Sequence, residues 1–328
     1  MPIWVSRLME LWRTVDRGPL EPIVDAIRNA RAGGTALVGE VTNTLAAYDP
    51  LVDSDLSAAV FRELLGFSTP DPERIVTDAA AELAALMPVA WLRPSIVPHA
   101  PYSVSPALLR AIAQTANRRP ISVHLGESAE EVQFLRDGTG AWRKLLQEFR
   151  AWTDDWQPPG CGPVAYLDRF GLVNERLLAV HAVQLSDEEL HRLAAANATV
   201  VTCPRSNQWT GAGSAPVQRF YASGVRVAIG TDSLASVEDL QMFNEIAAVR
   251  ALAPRVAPAR ILESATRNGA DALGFGDELG TIEAGKRGEL IAVAMPRGVD
   301  DVEEYLVSGR VKPGDIRWLG EATLNDES

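Results

Sequence analysis

The sequence has 328 residues, of which 47% are hydrophobic, so the chain buries a large core, which excludes a disordered or fibrous protein. Its formal net charge of −12 disfavours binding to nucleic acid or to anionic lipid, because like charges repel and no cluster of Lys and Arg offsets them. No apolar run is long enough to span a membrane, and the amino terminus has no clear signal-peptide pattern, so we expect a cytoplasmic protein.

The predicted elements follow one another in the order of an α/β protein. A helix-like segment opens the chain at 1–12, and short apolar runs then alternate with amphipathic segments, which predicts a parallel sheet. Seven strands are predicted, at 34–41, 59–67, 93–100, 120–127, 176–183, 198–205 and 225–233. Helices are predicted at 20–32, 72–87, 105–117 and 186–198. In the last of these, Ser186 and Glu189 have the spacing of a capping box.

The end of the chain differs in composition. Residues 285–328 contain short strand-like pieces separated by turn residues, and no long helix-like segment. We therefore expect a large α/β domain over 1–284 and a small β appendage over 285–328. A closed barrel of parallel strands needs eight strands, so the seven predicted ones indicate a further strand before Met1.

Polar side chains recur at the carboxyl ends of the predicted strands. His99, His124, His181 and Asp232 each close a strand, whereas His191 lies within a predicted helix and is assigned to the surface. In parallel α/β proteins the reacting groups gather at this end of the sheet. Three histidines and an aspartate at equivalent positions are difficult to explain by packing alone, since each buried polar group needs a partner. The pattern therefore predicts one shared polar site.

These residue types are typical of a metal site. Imidazole nitrogen and carboxylate oxygen are donors that zinc and iron accept, and a bound ion lowers the pKa of water toward neutrality. Glu127 follows His124 by three residues and is the expected acid that moves protons to a leaving group. The alternative for Glu127 is an ordinary glutamate at the start of a helix, beside Ser128.

The order and spacing of several segments suggest a family: PHAPYSVS, VHLGES, LLAVHAV, VVTCPRSN, VAIGTDSLAS and GTIEAGKRGEL. Together they resemble the amidohydrolase superfamily, in its cytosine deaminase/chlorohydrolase branch, and within it nucleoside-type deaminases such as the aminodeoxyfutalosine deaminases. The resemblance implies a (β/α)8 barrel of the TIM type beside a small β-sandwich, with one catalytic divalent metal. Zinc is the expected ion, and iron and manganese are alternatives.

The resemblance also implies roles for the residues at the strand ends. His124 and Asp232 are the implied metal ligands, and Asp232 also takes a proton from the attacking water. Glu127 passes that proton to a ring nitrogen and to the leaving amine. His181 polarises the substrate or holds the water, with metal ligation as an alternative.

Three further residues are implied substrate contacts: His99, Arg205 and Asn207. Arg205 and Asn207 belong to the CPRSN segment, and for both of them a purely structural role is an equal alternative.

One family feature is absent from the sequence. Members of the family carry a His-x-His pair at the end of their first strand, and no such pair occurs in these 328 residues. Three explanations are open: a misplaced start, a gene segment missing from the sequence, and a decayed or repurposed copy that keeps the fold.

These observations predict a metal-dependent hydrolase, in particular one that deaminates an amino-substituted heterocycle of the purine nucleoside type by metal-bound hydroxide. Two alternatives are open: hydrolysis of a ring amide or an aryl chloride, and a non-catalytic truncated homologue that acts as a binding or scaffold protein. The expected partner is a small-molecule substrate, with no nucleic acid and no membrane. The unpaired strand edges of an incomplete barrel predict a homo-oligomer.

Overall fold

The computed structural model describes residues 1–14, 20–115 and 119–319. Its parallel strands are β1 (Leu37–Thr42), β2 (Ser57–Leu64), β3 (Leu92–Pro98), β4 (Ile121–Leu125), β5 (Leu177–His181), β6 (Thr199–Thr202) and β7 (Arg226–Ile229). Within the described residues these strands form two parallel sheets, β1-β2-β3 and β4-β5-β6-β7. The sheets adjoin where the backbone N–H of His124 donates to the carbonyl of His99 (2.9 Å). All seven predicted strands are therefore confirmed. They are neighbours in the order in which they occur along the chain.

Helices connect the strands. They are α1 (Pro2–Thr14), α2 (Glu21–Ala32), α3 (Tyr48–Val52), α4 (Pro72–Ala84), α5 (Pro106–Thr115), α6 (Ala129–Asp137), α7 (Ala141–Glu148), α8 (Pro163–Asp168), α9 (Asp187–Ala195), α10 (Pro204–Trp209), α11 (Val217–Ser223), α12 (Met242–Leu252), α13 (Pro258–Ser264), α14 (Arg267–Ala272) and α15 (Val302–Val307). The predicted helices correspond to α1, α2, α4, α5 and α9; the predicted residues 116–117 lie outside the described ones. Ser186 caps α9 as predicted, because its side chain accepts from the backbone N–H of Glu189 (3.2 Å).

The packing of the core explains why strands such as β2 are nearly continuous runs of apolar residues. Every residue of β2 except Arg62 is buried, as expected for a parallel strand that is covered on both faces. The main cluster includes Phe61, Phe134 and Phe220, and a smaller cluster packs Tyr48 and neighbouring side chains of α2 and α3 against β1 and β2. This packing fixes the strand ends at which the polar residues lie.

The end of the described chain forms a small antiparallel pair, β8 (Leu290–Val293) with β9 (Ile316–Leu319). The indole N–H of Trp318 donates to the carbonyl of Arg31 in α2 (2.9 Å), and the Arg31 guanidinium lies 3.3 Å from the centre of that ring. Arg31 also pairs with Glu289 at 2.7 Å. These contacts connect the β8–β9 pair to α2. The predicted domain boundary at 284/285 stays a prediction. Among the described helices, none combines the length and the apolar character needed to cross a membrane.

Candidate active site

Five polar side chains meet at the carboxyl ends of the strands. Glu63 lies near the end of β2, His124 and His181 lie at the ends of β4 and β5, and His99 and Asp232 follow β3 and β7. The Nδ1 atom of His124 is 3.0 Å from Nε2 of His181, and the ring centres of His99 and His124 are 5.0 Å apart. The three predicted histidines therefore form one cluster.

The backbone leaves two of these strands in an unusual conformation. His181 (φ 73°), Ala182 (φ 54°) and Asp232 (φ 63°) have positive φ, which few residues other than glycine adopt. Such residues occur preferentially at functional sites, because the surrounding structure holds them there in spite of the strain. Here the conformation turns the chain sharply at the strand ends that carry His181 and Asp232.

Two hydrogen bonds link Asn207, His181 and His124 across the site, and Glu63 lies beyond His124. The Oδ1 atom of Asn207 accepts from Nδ1 of His181 (2.8 Å), so the lone pair of His181 lies on Nε2. Nδ1 of His124 therefore donates to that nitrogen (3.0 Å), which leaves Nε2 of His124 facing the Oε1 atom of Glu63 at 3.5 Å. Asn207 and Glu63 thus determine how the two imidazoles present their nitrogens.

Glu63 and His124 form a coupled acid–base pair. Burial alone would raise the pKa of Glu63, but the charges of His99 and His124 and the bonds from His124 and Asn43 together lower it to about 2. Burial alone would lower the pKa of His124, whereas the hydrogen bond and the charge of Glu63 together raise it to about 9. Glu63 is thus held as a carboxylate beside His124.

His99 differs from His124 in its protonation. Burial lowers the pKa of His99 to about 4, against the opposing charge of Glu63, so its ring is neutral near pH 7. Ser103 donates its hydroxyl hydrogen to the Ala100 carbonyl (3.2 Å). Nδ1 of His99 is therefore the donor in its 2.6 Å contact with Ser103, and its Nε2 atom is an acceptor.

Asp232 is held by two hydrogen bonds. One of its carboxylate oxygens accepts from the hydroxyl of Ser206, and the other accepts from the backbone N–H of Ser233 (2.7 Å). Burial alone would raise its pKa, but the charges of His181 and His124, together with these two bonds, lower it. Asp232 is therefore ionised near neutral pH.

Glu127 also lies in the site. Its Oε1 atom is 3.7 Å from Nε2 of His181, and the residue is 4% exposed. Glu127 directly precedes Ser128, the N-cap residue of α6. It therefore lies in the site, as predicted, and also beside the start of a helix, as in the alternative interpretation.

Arg205 and Asn207 lie on α10, just after β6. Nη1 of Arg205 donates to Oδ1 of Asp239 (2.8 Å) and is 3.5 Å from Oε1 of the fully buried Glu245. Asn207 is itself fully buried and orients His181. The predicted substrate contacts of Arg205 and Asn207 stay predictions, since the bonds described for them run to protein groups.

The donor atoms of the cluster fit a divalent cation. Among the described residues, two groups of side chains each bring three ligand atoms within 4.8 Å of one another: His124 with Glu127 and His181, and His124 with Glu63 and His99. Zinc and iron accept such nitrogen and oxygen donors. Asp232 belongs to neither group, so its predicted role as a ligand stays a prediction.

Sequence reasoning missed Glu63 as a member of the site. A signal was present, because Glu63 and Arg62 are charged residues inside an otherwise apolar strand. A buried charge of this kind needs a partner, and His124 provides one.

Comparisons with known proteins identify a family. Residues 27–312 match the Amidohydrolase family. A 5-methylthioadenosine/S-adenosylhomocysteine deaminase from Moorella thermoacetica is 31% identical over 350 residues, which cover 94% of this chain and 76% of that protein. The chain spans less of other curated relatives, for example 56% and 43% of two further deaminases of the same name from Pyrococcus furiosus and Desulforudis audaxviator.

Solved structures of deaminases have the same fold. An adenosine deaminase from Xanthomonas campestris with bound zinc superposes with a TM-score of 0.79 at 28% identity, covering 96% of this chain and 71% of that one. An aminofutalosine deaminase from Helicobacter pylori in complex with methylthio-coformycin gives a TM-score of 0.78 at 27% identity, covering 90% and 74%. The predicted family and the predicted TIM-type α/β fold are therefore confirmed, and the chain belongs to the Amidohydrolase family.

Proposed function

We propose that this chain, loaded with a divalent cation, hydrolyses the exocyclic amino group of an adenosine-type purine nucleoside. The observation that carries the proposal is the buried group formed by His124, His181 and Glu127 at the strand ends, in which two imidazole nitrogens lie 3.0 Å apart and a carboxylate lies 3.7 Å from one of them. This group combines cation ligands with a proton carrier, which is what hydrolytic deamination requires.

The reaction exchanges an amino group for oxygen. Water adds to the ring carbon that bears the amino group, the bond from this carbon to the amine breaks, and the products are ammonia and a ring carbonyl. A bound divalent cation supplies the Lewis acidity that makes water nucleophilic near neutral pH. His124 and His181 hold this cation in our proposal, with Asp232 as the carboxylate ligand expected from the family resemblance.

Glu127 carries the proton transfers. In the proposal its carboxylate takes one proton of the attacking water and delivers it to the adjacent ring nitrogen, and it then passes to the departing amine the second proton of that water, which Asp232 accepts first. Such a group must be within hydrogen-bond reach of both atoms, and its burial limits competing exchange with solvent. His99 is proposed to accept a hydrogen bond from the substrate through Nε2, because its Nδ1 donates to Ser103.

The relatives support the substrate class and the ion. They are named as deaminases of adenosine derivatives, one solved relative carries bound zinc, and another is in complex with methylthio-coformycin. We therefore propose zinc as the metal and a purine nucleoside with a modified ribose as the substrate. The cytoplasmic location and the homo-oligomer stay predictions.

The test is an ammonia-release assay of the purified chain after incubation with zinc. The substrates are adenosine, 5'-methylthioadenosine and S-adenosylhomocysteine, beside a chlorinated triazine scored by chloride release. We expect ammonia from at least one nucleoside, and Glu127→Gln lowers kcat by about 100- to 10,000-fold because its amide cannot carry the proton.

Glu130→Gln is the matched control, because this glutamate lies three residues further along on α6 and its expected activity is that of the wild type. Zinc-loaded chain that releases ammonia from none of the three nucleosides contradicts the proposal. Chloride release in its place would support the predicted alternative of aryl chloride hydrolysis.

A further inference from the structure

Glu131 is buried completely, yet no ion pair to it exists among the described residues. Its Oε1 atom accepts from the backbone N–H of Gly126 (2.8 Å), and its Oε2 atom accepts from the backbone N–H of Glu127 (3.0 Å). Burial of a carboxylate is unfavourable unless hydrogen bonds replace its hydration. Both oxygens of Glu131 therefore bind the two peptide groups that flank the Gly126 Cα atom, directly before Glu127.

The arrangement differs from an ordinary capping box. In a capping box the carboxylate at the third helical position accepts from the backbone N–H of the N-cap residue. Glu189 does so on α9, where it accepts from the N–H of Ser186 (3.0 Å). Glu131 occupies the same position on α6 behind Ser128, but it binds the two residues that precede the N-cap. Its contacts thus extend beyond the helix into the segment between β4 and α6.

The segment is confined from its other side as well. Gly126 has a φ of 59°, and a Cβ atom at this position would lie 2.4 Å from Cδ2 of Leu185. On the helix side, Ser128 accepts from the backbone N–H of Glu131 (3.3 Å) and from the indole N–H of Trp142 (3.4 Å). The path of the backbone through Glu127 is therefore determined by Leu185, Trp142 and Glu131 together.

We propose that Glu131 is a positioning residue for Glu127. By orienting the two peptide groups on either side of the Gly126 Cα atom, the second of which ends at the backbone nitrogen of Glu127, it determines the direction in which the Glu127 side chain leaves the backbone toward His181. The inference rests on the proposed function for its catalytic readout. A misplacement of a reacting group by about 1 Å is enough to reduce turnover by about 100-fold.

The test compares Glu131→Gln with Glu189→Gln in the zinc-loaded chain. Glutamine keeps one acceptor, but its NH2 group must face a backbone N–H, so the Gly126–Glu127 segment shifts. We expect Glu131→Gln to lower kcat by about 10- to 100-fold with KM within about twofold, and to speed amide hydrogen exchange in peptides covering 124–128. Glu189→Gln makes the same substitution at the third position of α9, where the carboxylate accepts from the backbone N–H groups of Ser186 and Val164, and is expected to leave both measurements unchanged.

A kcat for Glu131→Gln within twofold of the wild type, or unchanged amide exchange at 124–128, overturns the inference. Where Glu131→Gln does not fold, Glu131→Asp replaces it, because the shorter carboxylate reaches one N–H group but not both. If both variants fail to fold while Glu189→Gln folds, the residue is purely structural and the inference is rejected.

Failure of the proposed function gives a different result. In that case the wild type is itself inactive on every nucleoside, and amide exchange alone decides whether Glu131 holds the segment. Faster exchange in Glu131→Gln then supports the positioning role without reference to turnover.

Discussion

Buried carboxylates make this protein sensitive to pH at the level of single residues. Glu245 is fully buried, and its burial raises its pKa to about 8, although the charge and backbone N–H of Arg205 act in the opposite direction. The ordinary value is 4.5, so between these two pH values the folded chain binds a proton that the unfolded chain does not. The free energy of unfolding therefore falls as the pH rises through this window.

We expect Glu245→Gln to remove part of this pH dependence. Since one pKa unit corresponds to about 1.4 kcal/mol, the free energy of unfolding of the variant relative to the wild type rises by at most about 5 kcal/mol between pH 4 and pH 9. Urea unfolding of both proteins across this range gives the difference directly. The exposed Glu238→Gln serves as the control. Parallel curves for the wild type and Glu245→Gln would show that Arg205 keeps Glu245 ionised.

Much of the cluster could be predicted from the sequence because its residues follow strands. His99, His124 and His181 end apolar runs, and parallel strands bring their carboxyl ends together, so their proximity follows from the fold. Glu63 was missed although its charge inside β2 is a signal of a buried partner. Its role depends on which way its side chain points, and a period of two residues does not determine this at a strand end.

At the level of elements, the turn from β4 into α6 depends on a glycine. Gly126 and Gly224 both have left-handed backbone (φ 59° and 79°), but a Cβ atom at 126 would collide with Leu185, whereas at 224 it meets nothing within 4 Å. Alanine substitutions at these two glycines therefore separate the free energy of backbone strain from that of steric overlap.

We expect Gly224→Ala to destabilise the chain by about 1–2 kcal/mol, the strain of a left-handed alanine. Gly126→Ala should cost about 1–3 kcal/mol more, because Leu185 must leave its rotamer or the turn must move. Urea unfolding measures both. Adding Leu185→Ala to Gly126→Ala makes room for the methyl group, so a coupling of zero in this double-mutant cycle would contradict the explanation.

Element prediction succeeded where a pattern was long. The strands and the helices α2, α4, α5 and α9 have clear periodicity, whereas α10 and α14 contain six residues each and span too few turns to show any. The predicted strands at 198–205 and 225–233 extend past the observed ends of β6 and β7. The excess residues belong to the segments that hold Arg205 and Asp232, whose conformation is determined by tertiary contacts.

At the level of the whole molecule, the cluster predicts that a cation stabilises the fold. An ion that binds the native state but not the unfolded state adds RT ln(1 + [L]/Kd), which is about 2.7 kcal/mol at a hundredfold excess over Kd. We therefore expect zinc to raise the melting temperature in proportion to the logarithm of its concentration.

His124→Ala should abolish this shift and the bound zinc found by elemental analysis, because His124 belongs to both groups of ligand atoms. His191→Ala is the matched control, since His191 is exposed on α9 and its ring is bound to the Asp187 carbonyl (2.6 Å). An equal zinc content in wild type and His124→Ala would place the metal elsewhere.

His181, Ala182 and Asp232 have left-handed backbone, so selection for heat resistance acts against the residue types found at these positions. Each residue with a Cβ atom costs about 1–2 kcal/mol in this conformation, whereas glycine adopts it freely. A random library selected for thermal tolerance alone is therefore expected to enrich glycine at positions 182 and 232. Glycine at 182 leaves the histidines in place, but glycine at 232 removes a carboxylate from the site, so heat resistance and turnover diverge at that second position.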